Sequence, residues 1–271
     1  MSELKYRFTN DGLFKLLFVK YPDLLKRLVA GLLHISYDDI EEFLITNTEI
    51  RPEKLGDKYC HLDINMKVNG RRVDLEVQVE DQKDYLERSL FYWAREFSTA
   101  LPEAGNYRDL PPTIVISIID FPMFSCVDFH SEFRLLEVTR YELLTDKMCI
   151  HYFELPKIPE KVSKDDELLL WLTLFRSETE EDIQKIQKMG VPIMEQVIEA
   201  YRDVSTSDEL RGLERMRERA RYNEMSALAY AKWEKAVEIA KKMKIKGSEI
   251  DYIVEITGLP VDEIMKLEVK P

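Results

Sequence analysis

Residues 59–80, with the sequence YCHLDINMKVNGRRVDLEVQVE, decide the fold prediction. Polar and apolar side chains alternate along 61–68 and again along 72–80, which is the two-residue period of β-strands. Asn69-Gly70 separates the two runs, and this pair favours a two-residue hairpin turn because both of its residues tolerate positive φ. The stretch therefore predicts two antiparallel strands, each of them half-buried.

The register of this hairpin follows from the turn. With Asn69 and Gly70 as the loop, Asn65 faces Asp74, Asp63 faces Glu76, and His61 faces Gln78. Facing Cβ atoms lie about 5 Å apart, and like charges in such pairs destabilise a sheet. The Asp63–Glu76 pair therefore indicates a site for a divalent cation such as Mg²⁺, which proteins often hold through one or two carboxylates.

A second interpretation of this acidic face stays open. The chain contains 51 Asp and Glu residues, and exposed hairpins often carry acidic side chains on their solvated side. On this interpretation the acids simply face water, and His61 is a solvated strand residue as well. The alternation alone does not distinguish the two possibilities.

Composition limits the class of protein. A chain of 271 residues with 45% hydrophobic residues can bury a sizeable core, and its three scattered cysteines indicate a reducing compartment. No apolar run approaches the ~18 residues of a membrane span and no signal peptide is recognisable, so we expect a cytoplasmic protein with no membrane contact. A net charge of −12 argues against a broad electrostatic hold on nucleic acid, so any DNA contact must be local.

Along the whole chain, the pattern of apolar residues predicts the following order of elements: helices, several strands, one helix, further strands, and then helices only. The helix at residues 84–101 should bury a stripe of apolar side chains: Leu86, Leu90, Trp93, Ala94 and Phe97. Two helices should precede the hairpin, one begun by Asn10-Asp11 and one by Pro22. We expect strands at 43–50, 113–119, 129–138 and 148–155, and helices from about residue 165. This order predicts an α/β domain at residues 1–160 and a helical C-terminal region at 161–271.

Short motifs along nearly the whole chain resemble the PD-(D/E)XK nuclease family transposases, also called Rpn-type recombination-promoting nucleases. The order and spacing of these motifs are more specific to the family than any single motif is. They are NDGLFKLLF at 10–18, Asp63, DLEVQ at 74–78, Arg88 with Tyr92, GNY at 105–107, FELPK at 153–157, and TGLPVDEI at 257–264. The resemblance implies a restriction-endonuclease-like mixed central sheet flanked by helices.

The resemblance also implies an activity, namely metal-dependent hydrolysis of phosphodiester bonds in DNA, and hence a hydrolase that acts in recombination. Asp63 matches the first acid of the family motif and Glu76 the second. Gln78 stands where lysine is usual, a substitution often seen in the Rpn-type branch. Mg²⁺ or Mn²⁺ would be held by Asp63, Glu76 and the backbone carbonyl of Val77, while Gln78 would position the attacking water.

Accessory roles follow for Asp11, Arg88 and Tyr92, each with an alternative. Asp11 completes the acidic site or holds a second metal, or else it caps the first helix. Arg88 and Tyr92 are spaced i, i+4 on one helical face and contact a substrate phosphate, or else they serve in surface packing and ion pairing. Lys15 follows Asp11 by four residues, which favours a simple ion pair between them.

A function of another class also fits the sequence. The chain would then be a catalytically inactive nuclease-fold remnant, serving as a protein- or DNA-binding module of a mobile element. Its acidity and Gln78 favour this hypothesis, whereas the presence of both Asp63 and Glu76 argues against it.

The C-terminal region carries its own hypothesis. Two short predicted helices around residues 257–260 have the shape of a helix-turn-helix, but Asp262 and Glu263 occupy the start of the second helix, where a DNA-reading helix needs donors. We therefore expect a role in packing or protein contact, including possible homo-oligomer formation through the helical region.

Overall fold

The computed structural model describes residues 2–46, 64–101 and 105–268. Within these ranges the chain forms a mixed six-stranded sheet with flanking helices, and the strand order is β1-β2-β3-β4-β6-β5. The strands are β1 Phe43–Ile45, β2 Ile64–Val68, β3 Arg71–Gln78, β4 Thr113–Ile119, β5 His130–Phe133 and β6 Met148–Glu154. The helices are α1 Asp11–Lys20, α2 Pro22–Leu32, α3 Tyr85–Thr99, α4 Glu167–Arg176, α5 Glu180–Gln187, α6 Pro192–Ser205, α7 Asp208–Ile245, α8 Ile250–Thr257 and α9 Val261–Lys266.

The predicted hairpin is confirmed as far as the structure describes it. β2 and β3 are antiparallel, and Asn65 faces Asp74 as expected. Asn69 and Gly70 form the turn with φ values of 47° and 74°, the positive range that the Asn-Gly pair tolerates. Asp63 and His61 lie outside the described residues, so the pairs that they would form stay predictions.

The expectation that both hairpin strands are half-buried is wrong for β3. Every residue of β3 from Val73 to Gln78 is buried, because β3 lies inside the sheet between β2 and β4. β3, β4 and β6 run parallel to one another, and parallel strands are normally covered on both faces. The polar side chains of β3 are therefore part of the protein interior.

The predicted strand at 113–119 is confirmed, whereas the strand predicted at 129–138 is shorter than expected. β4 is buried at every position, in keeping with its run of β-branched residues. β5 ends at Phe133, and only an isolated bridge between Leu136 and Leu143 follows it. The chain turns away from the sheet edge after β5, which leaves Leu136 46% exposed.

The helix predicted after the hairpin is present as α3, but its predicted buried stripe is only partly correct. Trp93 and Phe97 are half-buried, and Trp93 packs against the core, whereas Ala94 is exposed. Leu86 and Leu90 are 43% and 51% exposed, and the fully buried positions are Tyr85, Ser89 and Tyr92. The buried face of α3 is polar because of the surface that this helix covers. Its inner face packs on the side of the sheet that carries the buried polar residues of β3, so hydroxyl-bearing side chains can hydrogen-bond there.

Among the described residues, those up to Gly212 form one compact unit and those from Leu213 onward form a second. In the first unit, helices that follow the sheet in sequence share the core of α1. Phe14 and Phe18 of α1 contact Phe175 and Trp171 of α4, and Phe8 stacks on Tyr201 of α6 at 4.5 Å.

The second unit has a small apolar core made by the end of α7 with α8 and α9. Its fully buried residues are Ala240, Ile253, Leu259 and Ile264. The indole of Trp233 donates a hydrogen bond of 2.9 Å to Glu263, at the start of α9. This contact supports the expected packing role of α9. None of the helices in the described ranges is both long and apolar enough to cross a membrane.

Candidate active site

Strand β3 places three polar side chains on one buried face of the sheet. Asp74, Glu76 and Gln78 are only 3–5% exposed. A solvated acidic face would leave such groups in water, so that alternative is wrong for these three residues. Burying carboxylates is costly unless hydrogen bonds or a cation compensate for the lost hydration, and the partners of each group are therefore informative.

Glu76 is held by one of its two carboxylate oxygens. The Tyr85 hydroxyl of α3 donates a 2.8 Å hydrogen bond to Oε2 and also lies 2.9 Å from the Ser117 hydroxyl of β4. The other oxygen, Oε1, is buried and has no hydrogen-bond partner among the described residues. A fixed carboxylate with an unsatisfied buried oxygen suits a cation ligand, because a cation would supply the missing partner.

Asp74 lies two residues before Glu76 on the same face. Burial, followed by the nearby charges of Glu76 and Glu96, raises the pKa of Asp74 well above its ordinary value. This shift favours the neutral acid at Asp74. A cavity of about 20 Å³, large enough for one water molecule, lies beside Asp74 between β2, β3 and α3.

Gln78 is fixed by contacts at both ends of its amide. Arg88 of α3 donates a 2.9 Å hydrogen bond to Oε1, and Nε2 donates one of 2.8 Å to the backbone carbonyl of Glu80. Arg88 also donates to Gln82 and lies 4.9 Å from the centre of the Tyr85 ring. The amide keeps one N–H and one lone pair for further bonds, since a primary amide offers two of each.

Arg88 and Tyr92, predicted to share one helical face, lie in different surroundings. Arg88 is half-buried and reaches the site through Gln78, whereas Tyr92 is 5% exposed on the inner side of α3. A phosphate contact by either side chain stays a prediction.

The alternative role of Asp11 as a helix cap is wrong. Asn10 is the N-cap of α1, and its side chain accepts a 2.9 Å hydrogen bond from the Leu13 amide, while Asp11 is the first helical residue. The role of Asp11 in the acidic site stays a prediction, as does its pairing with Lys15, which is buried at 4% exposure.

A chain of contacts ties the start of α1 to the end of β3. The Gln78 carbonyl accepts from the Asp120 amide, and the Asp120 carboxylate receives a 2.8 Å bond from Arg7. The Arg7 carbonyl in turn accepts from the amide of Asn10. The residues just before α1 are thereby fixed beside the strand end that carries Gln78.

Of the predicted site residues, the structure brings Glu76, Gln78 and Arg88 together. Asp63 lies outside the described residues, and the metal contact of the Val77 carbonyl stays a prediction. Sequence reasoning missed the hydroxyl groups of Tyr85 and Ser117 beside Glu76, and the hydrogen-bonded hydroxyl pair of Ser89 and Tyr152. Tyr85, Ser89 and Tyr92 recur at i, i+4 and i+7, so a search for polar rather than apolar helical stripes would have detected the inner face of α3.

The mixed sheet with its flanking helices and additional C-terminal helices defines a restriction-endonuclease-like α/β protein, with a buried glutamate and glutamine on a central strand. A model of the family described as PD-(D/E)XK nuclease family transposase matches residues 8–231 of the 271. The chain therefore belongs to this family, whose nucleases generally use divalent metals. No curated protein and no solved structure matches the chain.

Proposed function

We propose that this protein is a metal-dependent DNA endonuclease of the transposase-associated type, which hydrolyses phosphodiester bonds at the Glu76 face of the sheet. The observation that carries the proposal is the buried Glu76 carboxylate, with Oε2 fixed by Tyr85 and Oε1 without a partner among the described residues. A purely structural carboxylate in the interior would normally have both oxygens satisfied.

The proposed ligands for Mg²⁺ or Mn²⁺ are Asp63, Glu76 and the backbone carbonyl of Val77. These are all oxygen ligands, which both cations prefer. When bound, a divalent cation lowers the pKa of a water molecule and neutralises charge on the scissile phosphate. Tyr85 would keep the Glu76 carboxylate in one orientation, and the raised pKa of Asp74 would keep a competing charge away from it.

Gln78 and Arg88 would together replace the lysine that is usual in this family. The free N–H or lone pair of Gln78 would orient the attacking water, because a neutral amide can hydrogen-bond water but carries no charge. Arg88 would supply the positive charge, held beside the site by its 2.9 Å bond to Gln78. Its guanidinium would then hydrogen-bond the phosphate, while Asp11 would complete the acidic end of the site.

The experiment is plasmid nicking by purified protein with Mg²⁺ or Mn²⁺. We expect Glu76→Gln and Asp63→Asn each to lower the nicking rate by about 100-fold or more, as removal of a charge-stabilising group does in other active sites. Glu80→Gln is the matched control, because Glu80 is exposed just beyond β3. Nicking that survives both acid substitutions would overturn the proposal.

The inactive-remnant hypothesis is favoured by one observation, namely that Arg88 and the Glu80 carbonyl already engage both ends of the Gln78 amide. Calorimetric titration with Mn²⁺ separates the two functions. The endonuclease should bind Mn²⁺ with a heat that Glu76→Gln removes. A remnant should give the same titration with and without Glu76.

A further inference from the structure

A second cluster of ligand-type side chains lies on the opposite face of the sheet from Glu76. In the parallel register Glu76 is beside Ser117 and Ser117 is beside Tyr152, so these three side chains share one face. Cys149 and His151 alternate with Tyr152 along β6 and project from the other face. Glu132 of β5 faces His151 directly and joins them there.

The three side chains are close enough to share one ion. The Cys149 sulfur lies 3.1 Å from Nε2 of His151 and 3.7 Å from Oε1 of Glu132. One ligand atom from each residue lies within 4.8 Å of the ligand atoms of the other two residues. Among the described residues, these three therefore form a group that could hold a metal ion. Cys149 and His151 are buried, whereas Glu132 is exposed and opens the cluster to solvent.

The two separations from the Cys149 sulfur are close to those in a tetrahedral zinc site. Zinc binds sulfur at about 2.3 Å and histidine nitrogen at about 2.0 Å, which places two tetrahedral ligands about 3.5 Å apart. The sulfur–nitrogen and sulfur–oxygen distances in the cluster lie within a few tenths of an ångström of that value.

The surroundings orient both the imidazole and the carboxylate. Nδ1 of His151 lies 3.0 Å from Nε2 of His130, and a proton on Nδ1 leaves the Nε2 lone pair directed toward Cys149. His130 is held by stacking on Phe153 at a centroid distance of 4.3 Å. Arg134 pairs with Glu132 and restrains its carboxylate. Metal-binding histidines usually have such an outer partner on the second ring nitrogen.

We propose that Cys149, His151 and Glu132 bind Zn²⁺ or a similar borderline-soft divalent cation, with water in the fourth position. The thiolate and imidazole donors select this class of cation over Mg²⁺, which prefers oxygen. On binding, the Cys149 thiol releases its proton to solvent and its sulfur bonds the cation. The site is independent of the proposed nuclease site, since β4 and the thickness of the sheet separate the two.

Cobalt titration tests the proposal, because thiolate coordination to Co²⁺ produces a charge-transfer band in the near ultraviolet. The double variant Cys60→Ser/Cys126→Ser leaves Cys149 as the last of the three cysteines. In this variant we expect one equivalent of Co²⁺ to give a thiolate band together with the visible bands of a four-coordinate ion, and we expect both to disappear when Zn²⁺ is added. Absence of the thiolate band would overturn the proposal.

Three further substitutions, each made in the Cys60→Ser/Cys126→Ser variant, extend the test. Cys149→Ser should abolish the band, and Glu76→Gln should leave it unchanged because Glu76 lies on the other face. Glu132→Gln is at an exposed position, so it should preserve the fold while weakening Co²⁺ affinity by about tenfold or more. A Co²⁺ affinity that Cys149→Ser or Glu132→Gln leaves unaltered would show that the cluster is only a hydrogen-bonded part of the core.

Discussion

At the scale of single residues, Tyr85 determines how Glu76 is presented. A carboxylate on a strand can rotate about its terminal torsion, and a hydrogen bond from a rigid phenol restricts that rotation. Because the Tyr85 hydroxyl also lies beside Ser117, the donor itself is fixed by β4. The orientation of the proposed metal ligand is thus set jointly by a strand and a helix.

Replacing Tyr85 with phenylalanine should weaken the proposed metal site without unfolding the protein. The ring would still fill its place against Phe121, but Glu76 would lose its donor. Loss of an outer-shell partner typically costs about 10- to 100-fold in metal affinity or activity, and we expect that range for Mn²⁺ binding and nicking. Tyr107→Phe, at a position 79% exposed, is the control. Equal nicking by both variants would exclude a role for Tyr85.

Gln78 is the second residue at this scale, and its contact with Arg88 accounts for the presence of glutamine at this position. Introducing the lysine that the family usually carries would place an ammonium next to the Arg88 guanidinium in a buried setting and remove the acceptor that Arg88 uses. We expect Gln78→Lys to lower the free energy of unfolding by about 1–3 kcal/mol, measured by urea denaturation. Gln78→Lys/Arg88→Gln should recover part of this loss, and additive effects of the two changes would contradict the coupling.

At the scale of elements, hydrogen bonds at the start of α5 indicate a dependence of stability on pH. Thr179 and Asp182 form a capping box in which each side chain bonds the backbone amide of the other residue. Hydrogen bonds from Thr179, and then from Lys185, lower the pKa of Asp182 to about 2. A carboxyl whose pKa is lower in the folded state stabilises the fold when ionised and loses that effect when protonated.

The predicted consequence concerns the variant Asp182→Asn. Near neutral pH it should be less stable than the unsubstituted protein by about 0.5–1 kcal/mol, a modest value because the pair with Lys185 is exposed to solvent. The difference should shrink as the pH falls from about 4 toward 2, where the native carboxyl takes up its proton. Urea unfolding across this pH range measures it, and a constant difference would contradict the assignment.

At the scale of the whole molecule, the first compact unit includes helices that follow the sheet in sequence. The aromatic rings of α1 and of the segment before it contact α4 and α6, which begin after residue 160. The predicted domain boundary at residue 160 would separate these partners. The packing instead favours a boundary near Gly212, where the two compact units meet in sequence.

Two truncated chains test this boundary. A fragment ending at residue 212 should fold cooperatively and retain metal-dependent nicking. A fragment ending at residue 160 should be insoluble or molten, because it would expose Phe8, Phe14 and Phe18, three fully buried rings worth about 1.5–3 kcal/mol each. A cooperative thermal transition of the shorter fragment, measured by circular dichroism, would support the boundary at 160.

Local patterns in the sequence determined most of the elements. The two-residue alternation and Asn69-Gly70 specify the hairpin and its register, and the β-branched run at Thr113–Ile119 specifies a strand buried on both faces. These features depend on side-chain periodicity and on the φ range of individual residues, both of which short segments carry by themselves. The family motifs depend on order and spacing along the chain, so sequence also sufficed for the family and hence for its fold.

Only the tertiary structure decided which faces are buried and which side chains meet. The inner face of α3 is polar because it covers Asp74, Glu76 and Gln78, whereas the apolar periodicity of that helix favoured a different face. The contact between Tyr85 and Ser117, and the cluster of Glu132 with Cys149 and His151, join different strands and helices. Such contacts arise from the order of strands in the sheet and the packing of helices on it, and no local pattern encodes these.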